Sequence, residues 1–460
     1  MPRQPPVTAV NVNEAVLLLD VVLMRTLVEA MSNDEGRSNG SRKQSEEGAA
    51  EREVTPDAPK KRSRHLTPEC NGEVFCNGKR SPRDLSPAVV DGIPRSPRLD
   101  GGRRRKLVLH FDLRNTVLVA DSVTNVAVEQ ALNAFLTGAT WGWEEDGIWR
   151  WHSDTPSVKP PAPGYVTYYK YLERQLVRTP SERTALRLAT GDFTSTPIGS
   201  IFRPHFERHM TRLKWNYDGD KAAHQLLTMS GTDGQLYHYI LEAVYRLIYH
   251  LVDTRRDFAL VIRTYGLDAE NVLSSLAHGI KGNHPGFSRA LNVPLNRTPG
   301  TIQRLKSDVI VMESYRPDSA QKELLTKLSH ERDIYRFLSG SQGISGYVDD
   351  FNSWQAHNYN HHSGKPLWID PYDKHHHHII FDDNFRALDE DSIVDVRVFD
   401  KEETTRAYSL TKTQLSLLED VCLVQADLLE GIDDKDYFLR KVELCEANYA
   451  RMIKSNSFPV

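Results

Sequence analysis

Residues 107–111 read Leu-Val-Leu-His-Phe, an apolar run that ends on Asp112 and continues as Leu113-Arg114-Asn115-Thr116. A short apolar run closed by polar residues is the signature of a strand buried on both faces of a parallel sheet. The pattern recurs twice. Residues 258–262, Phe-Ala-Leu-Val-Ile, end at Arg263-Thr264, and residues 379–381, Ile-Ile-Phe, end at Asp382-Asp383-Asn384. Residues 308–312 supply a further strand of unassigned place, and residues 394–399 alternate apolar and polar side chains as a late edge strand would. Residues 237–252 carry Ile240, Leu241, Val244, Leu247, Ile248 and Leu251 at helical spacing, and 410–429 and 436–453 read as two closing helices. Strands alternating with helices predict an α/β fold on a doubly wound parallel sheet. Ligands of such sheets gather beyond the carboxyl ends of the strands, near the point where strand order reverses.

At those ends stand Asp112, Thr264, Asp382 and Asp383. Carboxylates and a hydroxyl so placed suit a hard cation and a phosphate, because Mg²⁺ prefers one or two carboxylates plus water and substrate oxygens. A carboxylate beside such a metal can also attack phosphorus.

The three motifs, in this order, resemble those of the haloacid dehalogenase superfamily: a strand ending in Asp-x-Asp-x-Thr, a strand ending in Ser or Thr, and a strand ending in paired acids. The matching stretches lie within residues 107–400. The resemblance implies a Rossmann-like core, Mg²⁺ as cofactor, and Asp112 as nucleophile and first metal ligand. It implies the backbone carbonyl of Arg114 as a second ligand, Asp382 and Asp383 as the pair that holds the metal, and Thr264 as the hydroxyl that binds phosphoryl oxygens. It also calls for a lysine upstream of the acidic pair. Lys365, in Gly-Lys-Pro and 17 residues before Asp382, is the choice, with Lys374 and Lys281 as rivals.

Arg114 is the departure. Phosphatases of this superfamily carry there the acid that protonates the leaving group and then activates water. An arginine, with a pKa above about 12, cannot do general acid–base work. Its planar fork suits an anion instead, or a pairing with Asp112 or Asp382 that replaces the metal. Two chemical readings follow: Mg²⁺-dependent phosphoryl transfer or hydrolysis of a phosphorylated or other anionic small molecule with a good leaving group, or a catalytically inactive binding or scaffold protein of the same fold.

Composition divides the 460-residue chain. Residues 36–106 carry 17 Lys/Arg and 10 Asp/Glu, a net of +7 within a chain of net −4, so the remainder totals −11. Residues 33–105 are rich in Ser, Pro, Gly, Arg and Glu and cannot bury enough apolar surface to offset the entropy of ordering, so disorder is expected. The expected organisation is a basic tail over 1–105 with a helix within 14–31, a core over 106–130 and 255–410, a cap over 131–254, and closing helices over 411–460. The tail helix, with Leu17, Val21, Met24, Val28 and Met31 on one face, would dock on this body or on another protein. Nucleic-acid binding through Lys60-Lys-Arg-Ser-Arg64 is a third reading, against which stand the acidic body and the lack of a recognition motif. The run at 16–24, broken by Asp20, is too short to span a membrane, and Cys70, Cys76, Cys422 and Cys445 read as reduced thiols, so a cytoplasmic or nuclear setting is expected.

Several features have tempting readings. His375 to His378 suggest a metal site, but His376 would lie roughly 20 Å from Asp382 along the strand, so they read as strand-entry residues. Trp141, Trp143, Trp149 and Trp151 predict a hairpin turning at Asp146-Gly147, packed in the cap core or forming an aromatic wall. The loop at 191–197, with Arg203, His205, Arg208 and His209, is a candidate for facing an anionic ligand.

Overall fold

The computed structural model describes Met24, Arg25, Val28 and residues 104–459, apart from 121–125, 146–147, 220–221, 306–307, 319–320, 387–391, 402–403 and 456. In chain order its strands begin with β1 (Lys106–Phe111), β2 (Trp141–Glu145), β3 (Ile148–Trp151), β4 (Val166–Thr167), β5 (Thr228–Ser230) and β6 (Leu236–His238). Next come β7 (Phe258–Thr264), β8 (Gly300–Leu305), β9 (Val309–Tyr315), β10 (Leu324–Leu328) and β11 (Gly343–Asp349). Last are β12 (Lys365–Ile369), β13 (His376–Asp382), β14 (Val394–Val398), β15 (Tyr408–Ser409) and β16 (Leu423–Gln425). Eight of them build one sheet in the order β10-β9-β8-β11-β7-β1-β13-β16. From β8 to β16 every pairing is parallel, and β9 and β10 extend the far edge antiparallel. The fold is mixed α/β with a large, mostly parallel central sheet.

Register explains the apolar runs. Leu109 lies between Leu260 and Ile379, and Phe111 between Ile262 and Phe381. Successive side chains alternate faces. One face, carrying Leu107, Leu109 and Phe111, shares an apolar core with helices Glu242–Asp253 and Tyr437–Ser455 and with residues from 128–213, Leu132 and Trp149 among them. Phe111 stacks on Phe381 at 4.5 Å and meets Phe438 edge-on at 5.1 Å, and each such buried side chain contributes about 1.5–3 kcal/mol. The opposite face, carrying Val108, Val261 and Ile380, packs on a three-stranded sheet, β12-β14-β15, and on helix Glu331–Gly340. With both faces covered, the strands need not alternate in polarity.

Some elements differ from the sequence reading. Residues 394–399 were expected at a sheet edge; β14 is instead the middle strand of its sheet and wholly buried, because Asp395 and Arg397 are neutralised inside by Arg304 and Glu331. Residues 410–429 form no single helix but the short helix Lys412–Ser416, β16 and the start of helix Leu428–Asp433. The first turns expected for the 237–252 helix belong to β6 and its exit, and the helix itself is Glu242–Asp253. Met24 and Val28 are helical and buried in the main core, so in the described part of 14–31 the apolar face lies on this body. The expectation for residues 33–103 lies outside the described residues. Among the described residues, no helix is long and apolar enough to cross a membrane.

Candidate functional site

The central strands set the geometry. From β1 the chain order runs to β7 and β11 on one side and to β13 and β16 on the other, so the reversal falls between β1 and β13. In open α/β sheets, ligands bind beyond the strand ends at such a reversal. The amide of Asp112 donates to the carbonyl of Phe381 (2.9 Å), which locks Asp112 beside the end of β13, where Asp382 follows. Asp112, Asp382 and Asp383 each present an oxygen within 4.8 Å of the others. A separation beyond about 8 Å would have ruled out a shared cation.

Lys365 enters from the second sheet. The Lys365 Nζ donates to Asp112 Oδ1 (2.5 Å) and to Asp382 Oδ2 (2.8 Å), with Lys365 1%, Asp382 0% and Asp112 8% exposed. The preceding Gly364 makes this approach possible, because a Cβ there would lie 2.2 Å from the carbonyl of Ile393. That carbonyl accepts from the Lys365 amide (2.7 Å) at the start of the β12–β14 ladder. The rivals stand elsewhere: Lys374 is exposed, and Lys281 sits in the turn after helix Ala269–His278.

A second buried pair stands behind the first. Arg263 Nε and Nη2 grip Asp349 at 2.9 and 2.5 Å, and Nη2 also donates to the carbonyl of Pro366 (3.1 Å). Arg263 thereby fastens β7, β11 and β12 together one residue from Lys365. Four acids, Asp112, Asp382, Asp383 and Asp349, face the buried cations Lys365 and Arg263, with Arg386 acting on Asp383, which leaves a formal excess of one negative charge.

Electrostatics follow from that excess. Burial first, then Asp382 and Asp383, push the Asp112 carboxyl up to about 8 against the pull of Lys365. Burial and Asp382 raise Asp383 to about 6, opposed by a hydrogen bond from Asn115. Burial opposes the charge on Lys365, but Asp112, Asp382 and Asp349 outweigh it and raise its pKa.

Asn115 escaped the sequence reading. It follows Asp112 in a single tight turn, with φ +59°, and its Nδ2 donates to Asp383 Oδ2 (3.0 Å). Asn tolerates left-handed backbone where Ala does not, at roughly 1 kcal/mol. Asn115→Ala is therefore expected to cost about 2 kcal/mol in urea unfolding once the hydrogen bond is counted, and Asn115→Gly about half as much. Equal losses in both would show that backbone strain plays no part.

Arg114 lies partly buried in the same turn, bridged through its backbone to Leu118. Thr264 stands on the opposite face of β7 from Arg263, where its hydroxyl accepts from the amide of Gly266 (2.9 Å). His376 pairs with Asp373, His377 stacks on Tyr449, and His378 bonds His110 and Ser339, all at the strand's entry end. Trp141–Glu145 and Ile148–Trp151 do form a hairpin, in which Trp149 is core and Trp143 is 38% exposed. Residues 191–195 do not form a polar loop but belong to the largely buried turn Thr190–Ser195, tied by Thr194 to Asn133. Arg203 pairs with Glu207 and Arg208 with Asp433, so neither stands as an uncommitted charge. Cys422 and Cys445 are free, buried thiols. A cleft of about 720 Å³ beside β15, lined by Arg397, Asp400 and Arg406, holds none of the site residues.

Comparison with protein-family models, curated proteins and solved structures finds no match.

Proposed function

We propose that Asp112, Asp382 and Asp383 hold a divalent cation of the Mg²⁺ type, and that Asp112 accepts a phosphoryl group from a small phosphorylated substrate with a good leaving group. The observation that supports this reading is the buried Lys365 ammonium shared by Asp112 and Asp382, beside a third acid. The acid excess fits a cation, and Mg²⁺ there would hold Asp112 ionised and offset charge on the phosphoryl oxygens. In the proposed step an Asp112 oxygen forms the bond to phosphorus while the bond from phosphorus to the leaving oxygen breaks. The leaving group keeps the electron pair. A leaving acetate needs no proton, so Arg114 is no obstacle to this transfer; water, without a base at position 114, then opens the aspartyl phosphate more slowly, freeing the Asp112 carboxylate and releasing inorganic phosphate that carries the water's proton. Lys365 keeps the paired carboxylates from repelling the incoming anion. The resemblance to haloacid dehalogenases belongs to this proposal.

A second reading, a silent binding or scaffold protein of this fold, draws on the same ammonium, which already pairs with Asp112 and Asp382 without a metal. Turnover separates the two. Mg²⁺-dependent hydrolysis of acetyl phosphate is expected in the wild type, with much weaker turnover of p-nitrophenyl phosphate. Arg114→Asp, which restores a proton donor, is expected to raise the latter about 10²-fold. No turnover of either substrate in either protein, with no Mg²⁺ binding by calorimetry, would leave the silent scaffold.

Proton linkage gives a further check. The Asp112 pKa rises from an ordinary 3.8 to about 8, so without a cation the folded site keeps a proton that the unfolded chain has lost. The group therefore favours folding progressively less as pH climbs from about 4 to about 8. A cation must displace that proton. Mg²⁺ binding at pH 7 is expected to release about one proton, and affinity to rise with pH until it levels off near 8. Affinity independent of pH between 6 and 8 would place the cation elsewhere.

A further inference from the structure

We propose that the acid–lysine site continues into an aromatic wall, Tyr265, Trp354 and Tyr359, that selects phosphate esters of a planar aromatic ring. This rests on the phosphoryl reading above and names its substrate class. Tyr265 follows Thr264 at the carboxyl end of β7, and its ring centroid lies 5.2 Å from Lys365 Nζ. The indole of Trp354 lies almost parallel to it, 5.3 Å away at 14°. Tyr359 then meets Trp354 edge-on at 5.0 Å, and Phe351, 39% exposed, closes the group 5.7 Å from Tyr265. Phe351 and Trp354 ride on helix Phe351–Ala356, which begins just after β11 ends. The wall therefore stands on the ligand side of the sheet, one ring away from the ammonium that touches both carboxylates.

Ordinary packing does not account for its polar tips. A surface tyrosine usually buries its ring and wets its hydroxyl. Tyr265 buries its hydroxyl as well, without a hydrogen-bond partner and within electrostatic reach of Asp349 and Asp382. The indole N–H of Trp354 is likewise buried and unpartnered. Buried donors are nearly always paired, so these two are open to an acceptor, a ligand or a water oxygen. Asn358 and Tyr359 both hold left-handed backbone, φ +55° and +60°, uncommon for two successive residues other than glycine. From helix Pro180–Ala189, Arg183 lays its guanidinium 4.7 Å over the Tyr359 ring, so that helix meets the wall. A ligand with its phosphate at Lys365 would bring an esterified ring against Tyr265 and Trp354. π faces favour a planar aromatic ring there over a puckered aliphatic one.

Calorimetry on the full chain with Mg²⁺ tests this, using inorganic phosphate, phenyl phosphate and cyclohexyl phosphate. The two esters match in ring size and differ in having a π face, and neither has a leaving group good enough to be consumed quickly. Phenyl phosphate is expected to bind about five- to tenfold more tightly than cyclohexyl phosphate, the worth of one aromatic contact. Trp354→Phe should keep most of that ratio, and Trp354→Leu, which preserves bulk, should bring it near one. Equal binding of the two esters alongside measurable binding of inorganic phosphate overturns this inference alone. A preference that survives Trp354→Leu overturns the assignment of the wall. Failure of all three ligands to bind overturns the phosphoryl reading and this one with it.

Discussion

Lys365→Met is expected to destabilise the fold by about 3–5 kcal/mol, because it strands two buried carboxylates that share one cation. Lys365 donates to Asp112 and Asp382 at 2.5 and 2.8 Å, and water is excluded from both Lys365 and Asp382. Methionine fills most of the lysine's volume, so the loss measures charge and not a cavity. Asp112 can shed its part of the cost by staying protonated, as its raised pKa already favours. Asp382 then carries most of what remains. Urea unfolding of the single and double variants checks this: Lys365→Met should cost less in an Asp112→Asn background, since the two residues are in direct contact. Mg²⁺ should also recover part of the loss, raising the midpoint of Lys365→Met more than that of the wild type, because a ligand stabilises only the state that binds it. A loss under 1 kcal/mol would mean that solvent reaches the cluster and that the ammonium does not organise it.

What could be read from the sequence followed the range of each interaction. Asp112 and Asp382 were legible because each closes an apolar run, and a strand buried on both faces writes itself locally. Lys365 was legible only as the lysine at a suitable distance before the acids. What brings it to the two acids, the Gly364 approach to Ile393 and the reach across to β1, lies in pairing that no local pattern encodes. Asp349 and Arg263 were missed as a pair because 86 positions separate them and because β11, Gly-Ile-Ser-Gly-Tyr-Val-Asp, hides its strand behind two glycines and a serine. Asn115 was passed over although it lies inside the quoted motif; its role comes from a left-handed turn and a partner 268 residues away. The tryptophans show the opposite error. Trp141, Trp143, Trp149 and Trp151 catch the eye by their spacing, yet Trp149 is core, while the ring that meets the Lys365 ammonium is Tyr265, stacked on Trp354, a pair that no periodicity announces. The helix expected over 410–429 failed because apolar residues at 415, 418, 421 and 422 fit helical spacing while serving separate short elements.

Asp112→Asn separates folding from chemistry, and its two effects should run in opposite directions. Asparagine keeps the shape of the side chain and still offers Lys365 an oxygen, but it removes one of four clustered acids. The carboxyl it replaces is pushed to about 8 by burial and by Asp382 and Asp383, a state that costs stability across the pH range from about 4 upward. Asp112→Asn is thus expected to melt at or above the wild-type temperature at pH 7, with the gain shrinking as pH falls to about 4, where the folded acid is neutral and the unfolded one is near its midpoint. Turnover of acetyl phosphate should fall on the order of 10³-fold or more, because an amide oxygen cannot form the aspartyl phosphate. Mg²⁺ should still bind through Asp382 and Asp383, more weakly and with less proton release. A variant that folds better, binds the cation and turns nothing over would fix Asp112 as the reacting group. One that keeps most of the wild-type rate would show that any hydrolysis arises without covalent attack by this residue, and the strand-end carboxylate would then serve only to hold the cation.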